Sequence, residues 1–199
     1  MSHDITNLLR FIKSNIPLPE EKAREIADRF REKTFAKNEF LLIEGRVCNE
    51  FYFLDNGFAW SYTRDINGND ITTNFYSRNQ VVCEMFSFFK QVPSKENFQA
   101  LTDCDAWCIR FADLQVAFHS MPEFREFGRS MLVSAYADLK QRMLSMLHYT
   151  AEERYSMLMQ SSPDIFQFAP LKHIASYLGV TNTSLSRIRK EITRNKGPH

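Results

Sequence analysis

The hydrophobic period of this chain changes twice, and those two changes limit the folds open to it. Up to about Thr34 the apolar residues recur at helical spacing. Leu8, Leu9, Ile12 and Ile16 share one face, and Pro19-Glu20-Glu21 opens a second helix carrying Ala23, Ile26, Ala27 and Phe30. From Phe35 to Phe111 the pattern becomes a series of short runs rich in aromatic and β-branched residues: FLLIEG, EFYFLDNG, FAWSYTRD, DITTNFYS, QVVCEMF, NFQALTD and DAWCIRF. Turn residues such as Asp55-Asn56-Gly57 and Asn67-Gly68-Asn69 separate them. Many short strands at this spacing predict a closed all-β sandwich or roll, with many of the 18 Phe filling its interior.

After Phe111 the period returns to that of a helix. Met121-Pro122-Glu123 has the composition of a helix start, and Phe124, Phe127, Met131, Ala135, Leu139, Met143 and Leu147 then step by three or four. Leu132, Tyr136 and Met146 widen the apolar stripe beyond one face. A long helix that is apolar on two sides needs two partners. One is the sandwich; the other is expected to be the same helix of a second subunit, met through Phe127, Met131, Ala135, Leu139 and Met143. A long core helix in a monomer is the alternative. Thr150-Ala151-Glu152-Glu153 is a capping-box pattern that opens a helix from Ala151 to about Gln160, and Ser161-Ser162-Pro163 breaks it.

The stretch LKHIASYLGVTNTSLSRIRKEI reads as helix, turn, helix. Leu171, Ile174, Ala175 and Leu178 lie on one face, Gly179 supplies the turn and Val180 plugs it. Thr181 is placed to cap the second helix, whose Leu185 and Ile188 face back onto the first. This is the spacing of a DNA-binding helix-turn-helix. The outward face of the second helix carries Asn182, Thr183, Ser184, Ser186, Arg187, Arg189 and Lys190, which are groups that reach phosphates and base edges in a major groove.

Composition matters here for one reason. The net charge of +1 from 25 basic and 24 acidic residues gives no hint of a polyanionic partner. Yet residues 170–199 hold six basic residues against one acidic, a net +5, which leaves −4 on the rest. The positive charge is where phosphate contact requires it.

Other chemistries find little support. The four cysteines (Cys48, Cys83, Cys104 and Cys108) form no CxxC pair, and the five histidines form no metal-binding array. Cys104 and Cys108 fall on one face of a strand, and all four are read as reduced, packed thiols. No apolar run is long enough to span a membrane, and the opening MSHDITNLLRFIKSN is not a secretory signal, so a cytoplasmic location without membrane contact is expected. A small β-roll enzyme of the cupin type would need histidines in the strands, which have none.

A sandwich, a long helix and a helix-turn-helix in 199 residues resemble the Crp/Fnr superfamily of bacterial transcription regulators. The likeness is strongest in FLLIEGRVCNEFYFLDNGFAW and PLKHIASYLGVTNTSLSRIRKEI. It implies an α+β fold: a double-stranded β-helix (jelly roll) sensor domain of the cyclic-nucleotide-binding type at residues 1–120, with N-terminal helices. A dimerisation helix at 121–148 and a winged-helix-like helix-turn-helix domain at 149–199 would follow, the wing truncated because only seven residues follow Ile192. It further implies a homodimer that is not an enzyme. Its partners would be double-stranded DNA and RNA polymerase, with base edges read by Asn182, Thr183, Ser184 and Arg187. Phosphates would be held by Lys172, Thr181, Arg189 and Lys190.

The family's cyclic-nucleotide cassette begins with a Gly-Glu pair, whose acid takes the ribose, and continues with an Arg-Ser pair, whose guanidinium takes the phosphate. Here the expected effector residues are Cys83, Glu84, Ser94 and Lys95, with Cys83 at the glycine position and Ser94 at the arginine position. Lys95 does not replace a guanidinium fork. Cyclic AMP or GMP is therefore not the expected effector, and Glu84 is expected to cap a short helix or meet some other ligand. The iron–sulfur and haem variants lack their ligands, since no cysteine precedes Cys48 and no histidine lies between Phe35 and Ala117. No resident cofactor is expected. The competing reading is a cyclic-nucleotide-binding signalling module that acts through protein partners.

Overall fold

Two four-stranded antiparallel sheets face each other at the centre of the computed structural model, which describes residues 4–195. One has the order β1-β8-β3-β6, from Arg31–Phe35, Cys104–Arg110, Glu50–Asn56 and Gln80–Val82. The other has the order β2-β7-β4-β5, from Phe40–Leu42, Asn97–Ala100, Ala59–Arg64 and Asp70–Tyr76. This is the expected jelly roll. Helices α1 (Thr6–Asn15), α2 (Glu20–Ala27) and α4 (Phe111–Ser120) accompany the first sheet, and α3 (Met85–Lys90) sits between β6 and β7. The long α5 (Pro122–His148) leads to α6 (Ala151–Ser161), α7 (Asp164–Phe168), α8 (Leu171–Tyr177) and α9 (Asn182–Asn195). The expected truncated wing falls partly on residues 196–199, outside the described residues.

The placement of the aromatic rings differs from the sequence expectation. Side chains alternate faces along a strand, and in β3 both faces are apolar. Tyr52 and Leu54 point into the roll with Phe98, Ala106 and Cys108. Phe51 and Phe53 point outward, under a cover made by Leu8, Ile12, Ile26, Phe124 and Phe127 of the helices. Much of the phenylalanine thus glues helices to the outside of the roll, where each fully buried ring contributes about 1.5–3 kcal/mol. A third core lies outside the second sheet: Phe58, Trp60, Tyr62 and Phe75 share one cluster with Ile174, Ala175, Leu178, Leu185 and Ile188.

Two corrections concern the helices. Phe127 is only 2% exposed and belongs to the chain's own core, its ring 5.9 Å from Phe11, so it is no contact for a second subunit. Met131 and Ala135 are part-buried, while Leu139 and Met143 stand 67% and 54% exposed. Leu171, which shares a helical face with the buried Ile174, Ala175 and Leu178, is 43% exposed. The sequence reading also missed β1, most of which precedes Phe35, as well as α4 and α7. The strands and helices involved are short or continuous with a neighbouring element, where periodicity has too few residues to register.

Candidate nucleic-acid interface and sensor site

The helix-turn-helix is built by local forces that the sequence announces. At the end of α8 the Gly179 N–H donates to the Ser176 carbonyl (3.0 Å) and the Val180 N–H to the Ala175 carbonyl (3.0 Å). That is the paired closure of a Schellman turn, and it needs Gly179 at φ +68. The Ser184 N–H then donates to Thr181 Oγ1 (3.1 Å), which caps α9. Leu185 and Ile188 are buried beneath, against Ile174 and Ala175. At 100° per residue, Thr183, Ser186, Arg187 and Lys190 fall opposite that buried pair, and Asn182 and Arg189 flank them. All six are exposed, as are Thr181 and Lys172, and Ser184 is half-buried. Arg187 Nε lies 3.9 Å from Glu191, a loose surface pair that leaves the Arg187 side chain 73% exposed.

The unit does not stand apart from the roll. Its first helix lies on the outer face of the second sheet. The His173 ring packs on Trp60 with centroids 3.7 Å apart, and Trp60 stacks in turn on Tyr62 at 4.3 Å. The Thr72 N–H of β5 donates to Ser176 Oγ (2.9 Å), and Tyr177 and Phe168 meet Phe75 and Phe58. Burial pushes the His173 pKa down to about 4, helped by the Lys172 charge and opposed by Asp70. From the other side, the Arg142 guanidinium of α5 sits 4.0 Å over the Tyr177 ring. Arg154 of α6 donates to the Leu178 carbonyl (2.8 Å) and the Tyr149 carbonyl (2.6 Å). A cleft of about 460 Å³ remains at this elbow, with Arg142, Met146, Arg154 and Tyr177 in its lining. None of these contacts was foreseen. The available signal was that four successive residues of β4, Ala59 to Tyr62, are apolar or small, the mark of a strand covered on both faces.

In the roll the four expected effector residues are each engaged separately. Glu84 is the N-cap of α3, its carboxylate accepting from the Phe86 (3.1 Å) and Ser87 (2.7 Å) N–H groups. Ser94 is buried and bonded to its own segment, donating to the Glu96 carbonyl (2.8 Å) and accepting the Glu96 N–H (3.0 Å). Lys95 is exposed, and Cys83 packs against the outer core rather than the interior of the roll. Other polar groups gather instead at the roll's second sheet and were missed from sequence. Ser61 Oγ lies 2.7 Å from Thr73 Oγ1 and 3.4 Å from the Tyr76 hydroxyl. Close by, burial holds the Glu96 carboxyl above its ordinary pKa, opposed by a hydrogen bond from Thr73. No group of His, Cys, Asp and Glu able to hold a metal occurs among the described residues, and no helix there is long and apolar enough to cross a membrane.

Residues 32–120 match the cyclic nucleotide-binding domain family. No curated protein matches the chain. Solved structures do, at low identity. FixK2 from Bradyrhizobium japonicum is 18% identical with a TM-score of 0.69, over 84% of this chain and 86% of that one. The regulator CLP from Xanthomonas campestris, described as c-di-GMP responsive, is 12% identical with a TM-score of 0.68, over 98% and 95%. A protein from Eubacterium rectale assigned to the crp/fnr family of transcriptional regulators is 13% identical with a TM-score of 0.69, over 92% and 88%. Residues 32–120 therefore resemble a cyclic nucleotide-binding domain, and the chain as a whole shares its fold with these solved structures.

Proposed function

We propose that the chain is a dimeric, sequence-specific DNA-binding transcription regulator whose α9 enters the major groove. The observation that carries this reading is the capped N-terminus of α9 with its exposed row of Thr183, Ser186, Arg187 and Lys190, in the one segment with a strong positive charge. Asn182, Thr183, Ser184 and Arg187 are the groups proposed to meet base edges. Lys172, Thr181, Arg189 and Lys190 are proposed to hold phosphates, with Ser186 on the same outward face.

Pairing of two chains is supported by the exposed apolar stripe Leu132, Tyr136, Leu139, Met143 and Leu147 on α5. The contact begins beyond Phe127, which the chain uses for its own core. For the sensor, the engagement of Glu84 in the α3 cap and of Ser94 in its own loop argues against a cyclic phosphate diester as the effector. The reading assigns the chain no catalytic step.

Gel shifts on genomic and random DNA across a salt series test the proposal. Arg187→Ala should reduce discrimination by about 1–3 kcal/mol at one base step, and Lys190→Ala should weaken all sequences and lower the salt slope by about one. Equal losses on specific and random DNA for Arg187→Ala would remove its base-reading role. Tight cyclic nucleotide binding in a calorimeter without any DNA shift would instead favour a signalling module that acts on protein.

A further inference from the structure

The cleft at the elbow of α5, α6 and α8 gathers positive charge without its counterpart. Its lining holds two half-buried arginines, Arg142 and Arg154, and no Asp or Glu. Arg154 is met by carbonyls alone: it donates to those of Tyr149 (2.6 Å) and Leu178 (2.8 Å), while its Nε is buried without an acceptor. Arg142 lies 4.0 Å over the Tyr177 ring, against π electrons rather than a carboxylate. Glu96 feels the Arg142 charge but lies outside the lining. Guanidinium groups withdrawn from water are normally matched by an anion, and a cleft with apolar walls focuses the field of those that are not.

Size and walls suit a small molecule. The volume of about 460 Å³ falls within the range of about 300–1,000 Å³ that such sites occupy. Met146, Met157, Tyr149 and Tyr177 supply apolar and aromatic surface around the two charges. The lining has no lysine and no glycine turn to offer a row of free N–H groups, so it lacks the usual cradle of a phosphate. Two planar guanidinium forks match the two oxygens of a carboxylate. At about 100° per residue, Ser145 of the lining falls nearly opposite Met143 and Leu147, so the cleft uses a different side of α5 from the exposed apolar stripe. The cleft also touches the turn of the helix-turn-helix. Arg154 holds the carbonyl of Leu178, the C-cap of α8, and a Cβ placed on Gly179 would sit 2.8 Å from the Met146 methyl.

We propose that this elbow cleft is a binding site for a small aromatic carboxylate, whose acid group is taken by Arg142 and Arg154 and whose ring packs against Met146, Met157 and the tyrosines. The bound molecule joins α5 and α6 to the turn between α8 and α9. Binding itself does not depend on what α9 does. Any effect on DNA rests on the DNA-binding reading, since the ligand reaches α9 only through the Leu178–Gly179 turn.

The test is methionine-methyl NMR of the full chain, titrated with 2-naphthoate as the probe. The Met146 and Met157 methyls should shift together and saturate, while Met85 and Met131, at the small cavity between α3 and α5, stay in place. Arg142→Gln should weaken binding by about tenfold or more, and Arg142→Lys, which keeps the charge but loses the fork, by less. Met157→Trp fills the cleft from a position 45% exposed on α6, and should abolish the Met146 shift with the circular dichroism spectrum unchanged. Neutral 2-naphthamide and AMP should leave both methyls in place. The proposal is overturned if no shift saturates up to millimolar probe, or if the largest shifts fall at Met143 of the stripe or at Met85 and Met131. Amide or AMP binding as tightly as the acid would overturn it too, as would unchanged affinity in Arg142→Gln. No DNA is used, so failure here is distinct from failure of the DNA-binding reading.

Discussion

Trp60 is the side chain on which the β-roll and the helix-turn-helix lean together, so replacing it measures how firmly they are joined. Its ring is 3% exposed, sandwiched between Tyr62 at 4.3 Å and His173 at 3.7 Å, and its Nε1 donates to Gln99 at 3.3 Å. Trp60→Ala removes a large buried surface and leaves a cavity that backbone on both sides prevents from closing, a loss of about 3–5 kcal/mol. Most of that loss belongs to burial. The part that belongs to the joint is the Trp60–His173 ring contact, worth about 0.5–1.5 kcal/mol beyond area.

A double-mutant cycle isolates it. Unfolding in urea, followed by far-ultraviolet circular dichroism because Trp60 is itself a fluorophore, is measured for Trp60→Ala, His173→Ala and both. The double variant should be less destabilised than the sum of the singles by about 1 kcal/mol. Trp60→Ala should also broaden the transition, since the third core loses the ring that ties β4 to α8. Additivity within about 0.3–0.5 kcal/mol would show that the two rings share no interface in solution and would refute the docked arrangement.

The same histidine gives a pH signature. Its folded pKa is lowered to about 4 from 6.5, so between those values the unfolded chain binds the extra proton. The stabilisation from the neutral ring is fully present above about pH 6.5 and is lost as pH falls towards 4, with a slope of up to ~1.4 kcal/mol per pH unit. His173→Gln should flatten that slope in denaturant titrations at a series of pH values. Glu84→Ala removes the cap of α3 and should cost about 1 kcal/mol, with faster hydrogen exchange at the Phe86 and Ser87 amides. Unchanged exchange there would mean that the carboxylate faces elsewhere. Gly128→Ala should destabilise by about 1–3 kcal/mol despite better helix propensity. The new Cβ would sit 2.5 Å from Cε1 of Phe118, so pairing it with Phe118→Leu should recover stability in thermal melts.

Where the local sequence carries the signal, the reading and the structure agree. The Thr150–Glu153 capping box forms with both of its bonds. Gly179 makes the turn, Thr181 caps α9, and Leu185 and Ile188 face inward. Glu84 caps a helix, one of the two roles expected for it. These features depend on residues within four or five positions of one another, where φ, ψ and a single hydrogen bond decide the outcome.

What the sequence by itself determined, then, is the set of elements and their order: a β-roll, a long helix and a helix-turn-helix with its basic face outward. Only the tertiary structure decided which apolar surface covers which. Phe51 and Phe53 turn away from the roll's interior because helices bury them, Phe127 closes the chain's own core, and Leu171 is left in solvent. His173 meets Trp60 across 113 positions of chain, and the Cys48 N–H meets Ser87 Oγ across 39. Hydrophobic burial has no direction and rewards any apolar cover equally. Periodicity can therefore show that a face is buried, but which partner buries it depends on long-range packing.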